Sequence, residues 1–258
     1  AVDTKSGHGF VSRKPVVMFD AKTLADIKTI PVDGGPDGIM ADPSDHHVYI
    51  FSHSAPNATV INAADGAVLG TIDLGGAPEA AVADGKGHVY VDLEDKGSIA
   101  VVDAKTRTVT GHYDIHEKGD GCAGLAIDLK NSVLFATCRN PAAMVMVNAK
   151  NGSVISSIPI DPGTDGAGFN PGTKEAFSAA GNGTLTVVKE NSPTSFAIEQ
   201  VVKTMTGAKT MTVDRKTNRI LTMGAEYGPV PAQPAGGSRG RGRGPGRGPM
   251  VAGSFTIV

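Results

Sequence analysis

Ionisable side chains recur at two equivalent positions of a phrase that the chain repeats. One set comes before a short strand rich in small residues, and the other follows the next strand. The first set is Asp37, Glu79, Cys122, Asp165 and Lys209, and the second is His53, Glu94, Arg139, Asn182 and Glu226. Carboxylates gathered around one imidazole could bind a divalent cation or a positively charged small molecule. The competing interpretation is a solvated surface with internal ion pairs, such as Arg139 with Glu94.

The candidate ligands for a divalent metal ion are His53, Asp37, Glu79 and Asp165. His46 and His47 fall in a predicted turn at the opposite end of the predicted channel and are interpreted as exposed turn residues in preference to a metal site. His112 and His116 lie on or after a predicted outer strand without a cysteine partner. The sequence also contains no His-Glu-x-x-His, Gly-x-Ser-x-Gly, Walker loop or Cys-x-x-Cys-His motif. The residues therefore identify no reaction and no catalytic residue, and a divalent metal is the one cofactor hypothesis.

These positions are set by a repeat of 42 to 44 residues. The phrase Gly-Gly-Pro-Asp-Gly-Ile-Met-Ala-Asp at 34–42, followed by His-Val-Tyr-Ile-Phe at 47–51, returns four more times in weaker form. The acid or amide that ends each copy stands at Asp42, Asp84, Asp128, Asn170 and Asp214. A period near 40 built from strands alone is typical of a radial array of β-sheets.

Each copy divides into four short strands separated by turns that contain Pro, Asp and Gly. The sequence therefore predicts an all-β fold, a β-propeller of four-stranded antiparallel blades that forms a single domain over residues 1–258. Six blades' worth is visible, and Ala1–Asp3 is interpreted as the end of an innermost strand. The loops before the first strand and after the second strand of each blade should meet at one mouth of the central channel. This mouth would collect the two sets of ionisable residues.

The C-terminal part departs from the repeat. Residues 229–249 are rich in Pro, Gly and Arg and predict a flexible loop, and residues 254–258 predict a closing strand. The loop contains Arg239, Arg241, Arg243 and Arg247, which could bind nucleic acid, but it lacks aromatic residues that stack on bases. A solvated loop is the alternative, and the net charge of −2 gives no general case for nucleic acid.

The two cysteines, Cys122 and Cys138, flank a predicted hairpin with its turn at Leu129–Ser132. They lie opposite each other if the register holds, so a disulfide or two buried thiols are the alternatives. A disulfide would favour an oxidising compartment. No run of about 18 apolar residues is present, so no membrane span is expected. The 258 residues contain no signal peptide.

Several phrases resemble those of a known family. Ile30–Gly38, Val101–Thr106, Asp42-Pro43 and Val89-Tyr90-Val91 resemble the bacterial YVTN-repeat β-propellers, also called YncE-like proteins. The resemblance covers nearly the whole chain apart from the Arg/Gly loop. It implies a seven-bladed ring in intact relatives, so we expect a truncated N-terminus, and it implies a periplasmic or secreted protein. Family members include DNA-binding and surface-layer proteins, and the architecture is shared with streptogramin lyases and lactonases.

These observations favour a non-enzymatic binding platform outside the cytoplasm, with the channel mouth as its interaction surface and a protein or small molecule as its ligand. A metal-dependent lyase or lactonase in the same mouth is the alternative, although His53 is the only histidine placed there. Nucleic-acid binding through the arginine loop is the second alternative. The repeat itself is almost silent on function, because its recurring residues are structural.

Overall fold

The computed structural model describes residues 1–230 and 248–258. These residues form 23 strands and no helix. The first three sheets, blades 1 to 3, contain β1 (Val2–Asp3), β2 (His8–Val11), β3 (Val16–Asp20), β4 (Asp26–Ile30), β5 (Pro36–Asp42), β6 (His47–Ser52), β7 (Asn57–Asn62), β8 (Val68–Asp73), β9 (Pro78–Ala83), β10 (His88–Leu93), β11 (Ser98–Asp103) and β12 (Thr108–Asp114). Blades 4 to 6 contain β13 (Asp120–Asp128), β14 (Val133–Asn140), β15 (Ala142–Asn148), β16 (Val154–Pro159), β17 (Thr164–Asn170), β18 (Glu175–Ala180), β19 (Thr184–Ser192), β20 (Ser195–Lys203), β21 (Thr210–Asp214), β22 (Arg219–Gly224) and β23 (Thr256–Ile257).

Every sheet is an antiparallel meander in chain order. Blades 1 to 5 have four strands each, and blade 6 has three among the described residues. The first strands of neighbouring blades contact one another in sequence from β1 to β21, as expected for the strands nearest a shared axis. The prediction of an all-β propeller with six blades is therefore confirmed.

The hydrophobic core lies between the blades. Val48 and Ile50 of β6 pack against blade 1, whereas Tyr49 and Phe51 of the same strand pack against blade 3. Because side chains of a strand alternate between the two faces of its sheet, each central blade buries apolar residues on both sides. Five apolar clusters result, one at each boundary from blade 1 to blade 6. This packing fixes the rotation of each blade and hence the position of its loops at the mouth.

The cysteines cross-link the inner hairpin of blade 4. Cys122 of β13 lies opposite Cys138 of β14 in the strand register, and the two sulfur atoms form a disulfide. Both side chains are buried in the cluster between blades 3 and 4. The cross-link therefore ties the innermost strand of blade 4 to its neighbour just below the channel mouth.

The turns between the first and second strands connect adjacent blades at the opposite end of the channel. In blade 1, Asp3 accepts a hydrogen bond from the Ser6 amide at 2.8 Å and contacts Nδ1 of His46 in blade 2 at 2.9 Å. His46 has a φ of 58°, the left-handed conformation that aims its ring towards blade 1. Asn170 and Asn218 repeat this contact between blades 5 and 6 at 3.0 Å, and Asn218 also has a φ of 58°.

The C-terminal strand β23 pairs with β22 as the third strand of blade 6 and lies within the segment 254–258. Most of the segment predicted as a loop, including Arg239, Arg241, Arg243 and Arg247, lies outside the described residues. Among the described residues, no helix is long and apolar enough to cross a membrane.

Candidate functional site at the channel mouth

The strands of the meander place the ionisable residues at one end of the channel. Asp37, Glu79 and Asp165 lie near the starts of the innermost strands β5, β9 and β17, and His53 and Glu94 follow the ends of β6 and β10. Because the first two strands of a blade are antiparallel, the start of one is adjacent to the end of the other. The side chains from neighbouring blades therefore come within hydrogen-bonding distance of one another.

A row of ion pairs crosses the boundaries between blades 3 and 6. The Arg139 guanidinium of blade 4 donates through Nη1 to Glu94 of blade 3 and through Nη2 to Asp165 of blade 5, the latter at 2.6 Å. Its Nε donates to the Thr164 carbonyl at 3.1 Å. Lys209, which precedes β21, then contacts the second oxygen of Asp165 at 2.7 Å. Arg139 is therefore held by three acceptors, and Asp165 is neutralised by two cations.

A cluster with excess negative charge lies at the boundary between blades 2 and 3. His53 Nδ1 is 3.9 Å from Oε1 of Glu79 and 3.7 Å from Oε2 of Glu94. One ligand atom from each of these three residues falls within 4.8 Å of the other two. Burial, together with the negative charges of Glu94 and Asp37, raises the pKa of the Glu79 carboxyl to about 7. The cluster is therefore a place where an added cation would relieve electrostatic repulsion.

Asp92 lies in the strand next to this cluster and was not predicted as a site residue. Its side chain is fully buried on β10, and neither carboxyl oxygen has a hydrogen-bond partner among the described residues. A β-bulge in the pairing of β9 with β10 sets Glu79 and Ala80 opposite Asp92. Burial, with a contribution from the charge of Glu79, raises the pKa of Asp92 well above its ordinary value. An acid within the apolar run 89–93 is the sequence signal that could have identified it.

The structure brings most of the predicted mouth residues together, but not all of them. His53, Glu79, Glu94, Arg139, Asp165 and Lys209 form the continuous row. Asp37 is exposed and acts on Glu79 through its charge. Glu226 is exposed and forms no ion pair with a described residue, although its backbone binds Ser254. Of the four predicted metal ligands, Asp165 already forms ion pairs with Arg139 and Lys209. Glu94, which was not predicted as a metal ligand, lies beside His53 instead.

The six sheets arranged around a shared axis define the class of protein: the chain is a β-propeller. It is similar to hydrazine synthase of Kuenenia stuttgartiensis, with a TM-score of 0.73, 14% identity, and coverage of 86% of this chain and 71% of that chain. It is also similar to the WD40 repeats of RRP9, with a TM-score of 0.74, 9% identity, and coverage of 86% and 70%. A chain in the mitotic checkpoint complex matches with a TM-score of 0.69, 13% identity, and coverage of 86% and 69%.

No protein-family model matches the sequence, and no curated protein matches it significantly. The similar structures share too little sequence to transfer an activity, so they show the fold alone. Any functional assignment must therefore come from the channel mouth of this chain.

Proposed function

We propose that the protein is a non-enzymatic binding platform whose recognition surface is the channel mouth. The observation that carries this proposal is the row of charged side chains from His53 to Lys209, which links blades 2 to 6. One end is acidic at Glu79 and Glu94, Arg139 lies in the middle between Glu94 and Asp165, and the other end is basic at Lys209. A surface polarised in this way selects partners by the arrangement of their charges.

The ligand is a protein or small molecule that places a positively charged group beside Glu79. Asp37 and Glu79 have no Lys or Arg within ion-pair distance in the described part of the chain, whereas Asp165 is already neutralised by Arg139 and Lys209. A guanidinium or ammonium group entering there would replace the missing countercharge. The similar chain in the mitotic checkpoint complex belongs to a protein complex, which is in keeping with such a role.

Selection from a random peptide library on the purified protein tests this proposal. Enriched peptides should share an Arg or Lys and should bind a Glu79→Gln, Asp37→Asn variant at least about tenfold more weakly, with affinity that falls as salt rises. The exposed Glu199→Gln on β20 is the control and should bind like the wild type. Enrichment of peptides without a cation, or equal binding by the double variant, would contradict the proposal.

We also propose that the protein acts outside the cytoplasm, in the periplasm or as a secreted protein. The pairing of Cys122 with Cys138 supports this, because structural disulfides persist mainly in oxidising compartments. Alkylation of thiols in intact source cells, followed by mass measurement with and without reduction, tests it. Both cysteines should be modified only after reduction, and two free thiols in the native protein would argue for a reducing compartment.

The metal-dependent lyase or lactonase remains the second proposal, and the proximity of His53 to two carboxylates is the observation that favours it. Such an enzyme needs a general base in addition to its metal ligands. His53 is the one histidine at the described mouth, so if it binds the metal no second imidazole is present to act as the base, which makes the binding platform the better-supported function. Nucleic-acid binding by the arginine loop stays a prediction from the sequence.

A further inference from the structure

Asp92 is a buried acid beside the mouth cluster, and its two carboxyl oxygens have no hydrogen-bond partner among the described residues. Buried polar side chains are nearly always hydrogen-bonded, and a buried carboxyl with two unpartnered oxygens is costly. Asp92 projects from the same face of its strand as Glu94, two residues further on, and lies within electrostatic reach of Glu79. Asp92 therefore lies beside Glu79, the acid of the cluster that has no Lys or Arg within ion-pair distance among the described residues.

The ligand atoms of the three side chains around this point lie somewhat farther apart than the ligands of a bound metal ion. The ligand atoms of His53, Glu79 and Glu94 lie within 4.8 Å of one another. Around a tetrahedral ion with bonds of about 2.0–2.1 Å, such atoms would be about 3.3 Å apart. The side chains of Glu79 and Glu94 are 21% and 24% exposed, and His53 is 43% exposed. A bound ion would therefore have to draw these side chains inward, with His53 the least enclosed of the three.

The existing hydrogen bonds leave oxygens of Glu94 and Glu79 available to bind a metal ion. Glu94 gives Oε1 to Arg139 and presents Oε2 to His53, so one carboxylate is oriented by the guanidinium and still offers a lone pair. Glu79 has no Lys or Arg within ion-pair distance in the described residues. One imidazole and two carboxylates suit Zn²⁺, Mn²⁺ or Co²⁺ better than Ca²⁺, which prefers a complete shell of oxygens.

We propose that His53, Glu79 and Glu94 bind a divalent transition-metal ion between blades 2 and 3, with Asp92 as a positioning residue behind Glu79. This metal site lies in the same mouth as the proposed recognition surface. The inference rests on the proposed function only in that both place binding at the channel mouth. A bound ion would occupy the place assigned to a partner's cationic group, so metal and cationic ligand would exclude each other. The mouth would then bind its partner more weakly when metal is present.

Titration of the chelator-treated protein with Zn²⁺, and with Co²⁺ followed by its visible absorption, tests the site without any partner present. We expect one ion per chain and at least a hundredfold loss of affinity in His53→Ala and in Glu79→Gln. Asp92→Asn should weaken binding about tenfold to a hundredfold, as removal of an outer-shell group does. His88→Ala is the control, because His88 also contacts a carboxylate, Asp84, but at the other end of the channel.

Circular dichroism and melting curves establish that each variant is folded. If Asp92→Asn does not fold, the Glu79→Gln variant, whose altered side chain is partly exposed, still tests the metal site. Absence of Zn²⁺ and Co²⁺ binding would overturn the inference, as would equal loss in His88→Ala. Either result leaves the peptide-selection experiment unaffected, so failure of the metal site and failure of the binding platform are distinguishable.

Discussion

At the scale of single residues, Asp3 shows how a buried carboxylate joins two blades. The side chain is only 4% exposed, and its oxygens contact His46 and the Ser6 amide. Burial raises the pKa of the carboxyl, but the hydrogen bonds from His46 and Ser6 outweigh that effect and lower it from the ordinary 3.8 to about 2. The folded state therefore favours the ionised form more strongly than the unfolded state does.

This difference gives a pH-dependent contribution to stability. Because the pKa is lower in the folded state, the contribution is fully present above about pH 4 and is lost as the pH falls towards 2. We expect Asp3→Asn to lower the free energy of unfolding by about 2 kcal/mol at pH 7 and by progressively less below pH 4. Urea unfolding over this pH range measures the difference, with Glu199→Gln as the control. A variant as stable as the wild type at pH 7 would show that the contact contributes nothing.

The residue scale also explains the character of the mouth. Arg139 is committed to Glu94, Asp165 and Thr164, so it organises the surface more than it offers a free charge. Glu79 and Asp37 are the acids that lack such a cation. The difference between neutralised and uncompensated acids, and not the number of charges, indicates where a ligand binds.

At the scale of elements, a disulfide and a nearly complete strand ladder together constrain the inner hairpin of blade 4. Strands β13 and β14 pair along nearly their whole length, and the disulfide closes a segment with a sequence separation of 16. A cross-link of this span reduces the freedom of the unfolded chain more than that of the folded one. The hairpin also presents Arg139 at its open end, so its rigidity fixes the centre of the charged row.

Removal of the disulfide should therefore lower stability measurably. The Cys122→Ser, Cys138→Ser variant should lose about 2–4 kcal/mol of unfolding free energy. Urea unfolding with and without reductant measures the effect: reductant should shift the wild-type midpoint to that of the double variant and leave the variant unchanged. An unaltered wild-type midpoint under full reduction would show that the strand ladder alone holds the hairpin.

At the scale of the whole molecule, glycines in two of the innermost strands permit close contact between adjacent blades. A Cβ at Gly124 of β13 would lie 2.8 Å from the Ala167 nitrogen of blade 5, and one at Gly166 of β17 would lie 2.7 Å from the Lys209 carbonyl oxygen. Contacts this short with a neighbouring backbone cannot be relieved by moving a side chain. At these two positions the innermost strands of adjacent blades can approach this closely only because the residue lacks a Cβ.

Gly124→Ala and Gly166→Ala should each destabilise the protein by about 1–3 kcal/mol, because the added methyl group pushes adjacent blades apart. Thermal and urea unfolding report the loss. Gly111→Ala on the outer strand β12 is the matched control, since a Cβ there meets nothing within 4 Å. Equal stability of Gly124→Ala and Gly111→Ala would show that the innermost strands accommodate a Cβ at position 124 without steric conflict.

The sequence by itself determined the fold and the general location of the candidate site. A repeat of 42 to 44 residues with alternating apolar positions leaves few arrangements other than stacked sheets, and equivalent repeat positions must fall at the same end of such a stack. The opposition of Cys122 to Cys138 follows from hairpin register in the same way. All of these inferences use local periodicity, which a single sequence records directly.

Only the tertiary structure decided which charges meet. Arg139 contacts acids in two other blades, His46 reaches Asp3 across 43 residues, and the orphaned Asp92 faces Glu79 because of a bulge. These contacts depend on the angle between blades and on single-residue shifts in strand pairing. Such quantities arise from packing between sheets, and no local pattern of residue types specifies them.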